Sequence, residues 1–162
     1  MAQTRFQLYS DKWAVGQIAD NSLNQIDSFS AGTVIPFGSA VMRTTVNNNL
    51  SEKKVSAFSG TTAGTCIGFA IRREMAFTGQ YEINSQVDVL RVGRIIVITH
   101  VPVTIDQVAC LFTDGAIGIA TQDQSIPVGK FVNNSKQETI NVNGVITTVN
   151  LAELQIDILE NA

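Results

Sequence analysis

Histidine, cysteine, tryptophan and charged side chains are all scarce in this sequence of 162 residues. His100 is the only histidine, which argues against a metal-dependent jelly-roll enzyme, because such a site needs two or three histidines with a carboxylate. Charged residues make up 15% of the chain and the formal net charge is -3. A lightly charged, slightly acidic chain is a poor binder of nucleic-acid phosphates. We therefore expect no metal site, no cofactor and no direct contact with nucleic acid.

The cysteines and the apolar runs indicate in which compartment the protein is made and whether it contacts a membrane. Cys66 and Cys110 each lie within a short apolar stretch, far apart in sequence. Two such cysteines form neither a metal motif nor a secreted disulfide framework, so we expect buried free thiols and synthesis in a reducing cytosol. The first twenty residues lack the apolar core of a signal peptide, and no run approaches the ~18 apolar residues of a membrane span. These features predict a soluble protein with no membrane contact.

Short runs of valine, isoleucine, threonine and phenylalanine alternate with glycines, which is typical of an all-β domain. The length fits one domain. Thr113-Asp114-Gly115 and Asn143-Gly144 each separate two apolar runs, and such turns favour β-hairpins. The alternation of Leu154, Ile156 and Ile158 with polar residues predicts a final strand, although helical spacing is an alternative.

Other stretches and single residues give further predictions. Asn47–Lys54 is the most polar stretch and is predicted to be an exposed loop. Ile95–Ile98 is apolar on both faces, so we expect it to be covered on two sides. Gly93 just before it favours a bulge or a bend, and Pro36 places its strand on an edge or at a bulge.

The search for catalytic chemistry finds isolated residues rather than a constellation. His100 follows a buried strand, and we interpret it as a hydrogen-bonded structural residue. The only Gly-Lys pair, Gly129-Lys130, is followed by Phe131 and not by the Ser or Thr of a phosphate loop. Carboxylates stand alone near turns, so a glycosidase pair has no local signature. We therefore predict no catalytic residue and a protein that is not an enzyme.

The N-terminal segment carries apolar and aromatic residues ahead of the strand-rich part of the chain. Phe6, Leu8, Tyr9 and Trp13 either pack on their own domain or form an arm that docks on a partner, since aromatic residues are favoured at interfaces. We take these four as candidate contact residues. The predicted organisation is an N-terminal arm or extension over residues 1–30, followed by an all-β domain over residues 31–162. Many short strands with turn signals between them predict a β-barrel, a jelly roll or a sandwich, and the residues alone do not choose among the three.

Several segments follow one another in a familiar order. They are Ala31-Gly32-Thr33-Val34-Ile35-Pro36-Phe37-Gly38, then Cys66–Ile71, Val87–Val97 and Val103–Val108. This succession, from about Ala31 to Leu151, resembles the structural cement proteins of tailed bacteriophages. One departure is Ile105, which stands where the family usually has a glycine.

The resemblance implies a β-barrel or jelly-roll subunit on the outer surface of the capsid, made in the cytoplasm of the bacterial host. It implies binding to the major capsid protein, self-association as a homodimer or homotrimer, and stabilisation of contacts between capsid subunits. An alternative is a carbohydrate- or receptor-binding β-module of a virion or tail. That alternative needs a solvent-facing aromatic platform, for which Tyr9, Trp13 and Tyr81 are available.

Overall fold

The computed structural model describes residues 13–19, 24–60, 66–73, 79–119, 125–142 and 144–158. Within these ranges the chain forms twelve β-strands and no helix. The strands are β1 (Gln25–Ala31), β2 (Ile35–Pro36), β3 (Ala40–Val46), β4 (Asn49–Ala57), β5 (Cys66–Ala70), β6 (Gln80–Tyr81), β7 (Gln86–Thr99), β8 (Val108–Phe112), β9 (Ile117–Ile119), β10 (Ser125–Phe131), β11 (Lys136–Val142) and β12 (Val145–Asp157). The predicted all-β class and single domain are confirmed. In the part of the chain that is described, no helix is long and apolar enough to cross a membrane.

The first half of the fold is a closed ring of strands. The order is β1, β4, β3, β5 and β7, and the ring closes because β1 also pairs with the first half of β7. Only the β1–β4 pair is parallel within this ring. A closed ring of this kind is a β-barrel, in which every strand of the ring is paired on both sides.

The second half of the fold grows from the other end of β7. The last eight residues of β7 pair with β12, and β10, β8 and β9 follow in order. The backbone N–H of His100 donates to the Ile117 carbonyl at 3.0 Å, which brings β9 back to the end of β7. β7 is therefore a wall of both halves.

The two halves enclose two hydrophobic cores that share the β3–β5–β7 wall. The first core consists of Ala31, Ile35, Phe37, Val41, Val55, Ile67, Ala70, Tyr81, Val87 and Val89. The second core consists of Ala40, Phe58, Cys66, Phe69, Leu90, Ile95, Val97, Val103, Ala109, Leu111, Ile117, Val128, Phe131, Ala152, Leu154, Ile156 and Ile158. Successive side chains of a strand point to opposite faces, so β5, which lies between the cores, is buried at every position.

The turn chemistry predicted both late hairpins correctly. β8 and β9 flank the Asp114-Gly115 turn, where Gly115 has a φ of 87° and the Asp114 carboxylate accepts from the Ala116 N–H at 3.0 Å. β11 and β12 flank residues 143–144, and Val142 pairs with Val145. The tail is the predicted strand rather than a helix, with Leu154, Ile156 and Ile158 buried.

One prediction was wrong, and three others were met to different degrees. Asn47–Lys54 is not a loop, because Asn47 and Asn48 form a tight turn with φ of 51° and 65° and β4 begins at Asn49.

Pro36 lies in β2, which pairs only with β6, as an edge strand should. The bulge predicted next to Gly93 falls at Arg91, since Gln25 pairs with Val92 and Ile26 with Leu90. Ile95 to Val97 are covered on both faces, but Ile98 is 37% exposed.

The division into an arm over residues 1–30 and a domain over residues 31–162 stays a prediction. Residues 1–12 and 20–23 lie outside the described residues. Residues 25–30 belong to β1 and therefore to the barrel.

Candidate interaction surface

Of the four candidate contact residues, only Trp13 lies within the described residues; Phe6, Leu8 and Tyr9 lie outside them. The Trp13 ring is half-buried, and the Lys136 ammonium lies 4.3 Å from the ring centroid. A cation over an aromatic face at this distance is an attractive contact worth about 0.5–1 kcal/mol at an exposed site. Trp13 therefore lies at the base of the β11–β12 hairpin, since Lys136 is the first residue of β11.

The residues that follow Trp13 are anchored along β7. The Gly16 N–H donates to the Ile96 carbonyl at 2.8 Å, and the Ile96 N–H donates to the Gln17 carbonyl at 3.0 Å. Ile18 forms an antiparallel bridge with Ile95. Residues 16–19 thus run antiparallel to β7, on the edge opposite β12. Gly16 fits there because an added Cβ would lie 2.9 Å from the backbone nitrogens of Arg72 and Gly38.

The β11–β12 hairpin extends beyond the rest of the sheet. Asn150 pairs with Thr99 at the end of β7, and in the described chain no other strand pairs with the preceding residues of β12 on that side. Residues 144–148 are all exposed, with Val145 at 63% and Ile146 at 72%. Two large apolar side chains are therefore held in solvent at the tip of a two-stranded ribbon.

One face of this hairpin continues to Trp13. Lys136, Leu151 and Ile98 are opposite one another in register, and paired residues project from the same face of a sheet. Val149, Thr147 and Val145 follow Leu151 at alternate positions and share that face. We name as the hairpin surface the residues Trp13, Ile98, Val145, Thr147 and Val149. It is an uncharged strip that is bordered on β11 by Lys136 and Glu138, which pair with Leu151 and Val149.

The reactive side chains elsewhere have structural partners. The His100 ring nitrogen Nδ1 lies 3.0 Å from the Ile117 carbonyl, and the ring packs edge-on against Phe112 with centroids 4.9 Å apart. This agrees with the predicted structural role of His100.

Burial raises the pKa of the Cys66 thiol to about 11, so little nucleophilic thiolate forms at neutral pH. Both cysteines are buried and free, as predicted. Among the described residues, no group of three or more His, Cys, Asp or Glu side chains could hold a metal ion.

A second surface feature is a shallow polar groove of about 460 Å³ between β1, β4 and residues 84–86. Two of its polar side chains already have partners: the Ser28 hydroxyl donates to the neighbouring Asp88 carboxylate at 2.8 Å, and the Gln86 amide donates to Ser28 at 3.3 Å. The aromatic platform expected of a carbohydrate-binding module is not formed there. Tyr81, one of its three candidates, is 3% exposed in the first core and donates its hydroxyl proton to the Ile71 carbonyl.

Comparison with solved structures finds a protein of similar fold. The chain is similar to the crystal structure of the head fiber gp8.5 N base in bacteriophage phi29, with a TM-score of 0.52 and 12% sequence identity. The similarity covers 84% of this chain and 96% of that one. At this identity the similarity shows a shared fold. Among curated proteins, the comparison found no match.

The family follows from the sequence match. Residues 2–157 match the family described as structural cement protein (E217 gp24/Pam3 gp6). The chain belongs to the structural cement protein family of phages, and its role is that of a capsid cement or decoration protein of the virion. The resemblance noted in the sequence is confirmed, and the match extends it to the N-terminal segment.

Sequence reasoning did not identify the projecting hairpin as a candidate contact surface. The Asn143-Gly144 turn predicted a hairpin, but its length beyond β7 depends on where β7 ends. One signal was present: Val145 and Ile146 are adjacent, so they point to opposite faces of a strand. Both can be buried only if both faces at the tip are covered.

Proposed function

We propose that this cement protein binds the outer surface of the head, contacts the major capsid protein and stabilises the joints between neighbouring capsid subunits as a homodimer or homotrimer. The observation that carries the proposal is the exposed, uncharged hairpin surface, which includes Trp13, in a member of the structural cement family. Such a role needs no catalysis, and we propose that the protein is not an enzyme. Synthesis in the host cytoplasm belongs to the same proposal, and two free cysteines are consistent with it.

We propose further that Phe6, Leu8, Tyr9 and Trp13 take part in the contact with the capsid or with another copy. Trp13 supports this proposal because its ring lies at the base of the hairpin surface. The twelve residues before it could extend roughly 40 Å from that point. The segment and the hairpin could therefore both contact a neighbouring subunit.

Co-sedimentation with phage heads that lack the protein tests the role directly. We expect saturable binding at a simple ratio to the major capsid subunit, and protein-coated heads should resist heat and low ionic strength better than bare heads. A ratio of two or three copies per local symmetry axis would give the oligomeric state on the capsid. Failure to bind under assembly-like conditions would contradict the proposed attachment to the head surface.

Variants separate the contribution of the N-terminal segment from that of the fold. Deletion of residues 1–12 retains Trp13 and the hydrogen bonds of residues 16–19 to β7, so the domain should stay folded while binding to heads falls. Trp13→Ala should weaken binding by about tenfold, as is common for an aromatic residue at a contact. Ile83→Ala is the matched control, because Ile83 is an exposed apolar residue on the barrel half. Equal binding by all three variants would show that the segment and Trp13 do not contact the capsid.

A further inference from the structure

The β11–β12 hairpin has an open edge along residues 145–149 of β12. β11 pairs with these residues on one side, through Thr147 opposite Ile140 and Thr148 opposite Thr139. On the other side β12 pairs with β7, which ends at Thr99, the partner of Asn150. Among the described residues, no strand pairs with residues 145–149 on that side. An isolated two-stranded ribbon is marginally stable in water, so a third strand would add substantially to this element.

The backbone groups at this edge can be identified from the alternation of hydrogen bonds. The backbone groups of successive residues in a strand point to opposite sides. Ile96 of β7 exchanges hydrogen bonds with residues 16 and 17, so the odd-numbered residues of β7 point the other way, towards β12. Thr99 is one of these odd-numbered residues. Asn150, the partner of Thr99, therefore points its N–H and carbonyl away from β11. The same direction recurs at every second residue, at Thr148 and Ile146. Four backbone groups thus face the open edge.

The side chains at this edge differ from those that protect sheet edges. Natural edge strands carry charged residues, proline or bulges that prevent pairing with another chain. The β11 edge of the same ribbon follows this rule, with Lys136 and Glu138. In β12 the sequence is Val-Ile-Thr-Thr-Val, which is β-branched throughout and carries neither charge nor proline. The contrast within one hairpin indicates that the β12 edge is the one that another strand covers.

We propose that the occupant is the same edge of a second copy, paired antiparallel about a two-fold axis that passes through Thr147. In this register Thr147 faces its own copy, Ile146 faces Thr148, and Val145 faces Val149. The four outward backbone groups of one copy then meet the four of the other. The inference deepens the proposed function, since it rests on the part of that function in which copies of the chain associate.

The edge sequence suits itself as a partner. Antiparallel pairing about Thr147 brings β-branched residues opposite one another at each position, and such cross-strand pairs stabilise sheets. No charge lies opposite a like charge. The contact is isologous, with the same patch on both copies, and therefore implies a dimeric unit rather than a three-fold ring.

The contact is small. Five paired residues on each copy bury less than the ~1,200 Å² of a stable interface, so association in solution should be weak and dependent on concentration. Attachment to a common capsid would raise the effective concentration of neighbouring copies and favour the pairing. A covalent trap is therefore the appropriate measurement.

Oxidative cross-linking of single-cysteine additions tests the register. Thr147→Cys would place two thiols on directly opposed residues whose Cα atoms lie about 4.5 Å apart, within the range of a disulfide. Thr148→Cys is the matched control. In the proposed register Thr148 faces Ile146 of the second copy, so the Cα atoms of the two Thr148 residues lie about 8–9 Å apart, beyond the range of a disulfide. Cys66 and Cys110 are buried and should not compete. We expect the T147C protein to form covalent dimers roughly tenfold faster than the T148C protein.

A backbone variant tests the hydrogen bonds of the edge. Thr148→Pro removes an N–H that points away from β11, so the hairpin ladder stays intact while the edge loses a donor. Added to T147C it should abolish the cross-link, whereas Thr148→Ala should not. An unchanged melting temperature would show that the T148P protein is folded. Equal cross-linking at positions 147 and 148, or an undiminished cross-link with T148P, would overturn the two-fold pairing.

The outcomes distinguish this inference from the proposed function. Wild-type protein that saturates heads while T147C fails to cross-link, in solution and on heads, would retain the cement role and refute the edge pairing. Cross-linking without binding to heads would retain the pairing and contradict the attachment. A large rise in cross-linking after deletion of residues 1–12 would show that the chain's own N-terminal segment covers the edge, and would also overturn the proposal.

Discussion

Cys66 begins β5 on the wall between the two cores, and burial raises the pKa of its thiol from 9.0 to about 11. Its S–H donates a weak hydrogen bond to the Gly68 carbonyl oxygen at 3.7 Å, and burial is the main cause of the raised pKa. The pKa of the Tyr81 hydroxyl in the first core is also raised, and burial is again the main cause. Both side chains are therefore protonated in the folded protein across the neutral range.

The raised pKa of Cys66 predicts a loss of stability at high pH. Below pH 9 the thiol is protonated in both states, so the free energy of unfolding does not depend on it. Between pH 9 and 11 the unfolded chain releases this proton and the folded chain does not, which lowers the free energy of unfolding by about 2–3 kcal/mol. Urea unfolding of wild type and Cys66→Ala at pH 7.5 and pH 10.5 measures this. The variant should lose less stability between the two pH values, and an equal loss would contradict the assignment.

Gly68 shows what the close approach of β5 and β7 requires. A Cβ at this position would lie 2.4 Å from the Val89 Cγ1 and 2.5 Å from the Leu90 carbonyl oxygen. We therefore expect Gly68→Ala to destabilise the protein by about 2–4 kcal/mol, because the backbone of a shared wall must move. Gly144→Asn is the control: nothing lies within 4 Å of its added Cβ, and Asn tolerates the φ of 84°. A thermal melt of both variants is sufficient, and equal melting temperatures would refute the steric argument.

At the scale of elements, sequence patterns predicted strands where turn residues and alternation agreed. The Asp114-Gly115 and Asn143-Gly144 turns contain glycine at the position of positive φ, and both hairpins were found as predicted. β4 was missed because its turn is Asn47-Asn48, without glycine, and its strand is Leu-Ser-Glu-Lys-Lys over positions 50–54. The strand is polar because these residues are largely exposed on the barrel. Leu50 pairs with Thr45 of β3 and Lys54 with Ser30 of β1, and between them the ladder is irregular. There the Arg43 guanidinium donates to the Ser51 and Glu52 carbonyls. Polarity alone therefore indicated a loop.

The Asn47-Asn48 turn predicts how β3 and β4 respond to substitution. Asn48 has a φ of 65°, which glycine adopts freely and a β-branched residue adopts at a cost of about 1–2 kcal/mol. Asn48→Val should lower the free energy of unfolding by about that amount, whereas Asn48→Gly should be neutral or stabilising. Chemical denaturation of the pair measures the difference. Equal effects would mean that the turn is not held at positive φ.

At the scale of the whole molecule, the class of fold could be predicted from the sequence but the two-core arrangement could not. The run Ile95–Ile98 indicated a strand covered on both faces, yet nothing local specifies that β7 closes a barrel with β1 and then continues into a second sheet with β12. These pairings join residues about 60 positions apart, and only their combined burial selects them. The candidate contact residues were similarly limited: Trp13 could be named as an aromatic residue near the terminus, but its position beside Lys136 depends on that long-range topology.

The shared strand predicts that the two halves unfold together. If either core opens, β7 and the β3–β5–β7 wall lose the packing on one face, so a partly folded state would expose a large apolar surface. Val55→Ala in the first core and Leu111→Ala in the second should each destabilise the protein by about 2–4 kcal/mol. Both should shift one common transition without changing the denaturant dependence of the unfolding free energy.

Trp13 supplies a probe that distinguishes cooperative from stepwise unfolding, because it is the single tryptophan and lies at the base of the hairpin beside the second half of the fold. Its fluorescence and far-UV circular dichroism should give superimposable curves in wild type and in both variants. For Val55→Ala this is a demanding test, since Val55 lies on β4 in the barrel half. If the barrel half unfolded alone, circular dichroism would fall first while the tryptophan signal stayed native. Coincident curves would instead show that β7, which is shared by the two cores, makes the molecule unfold as a single cooperative unit. A protein that reinforces a capsid requires such cooperativity, because neither half can then open alone.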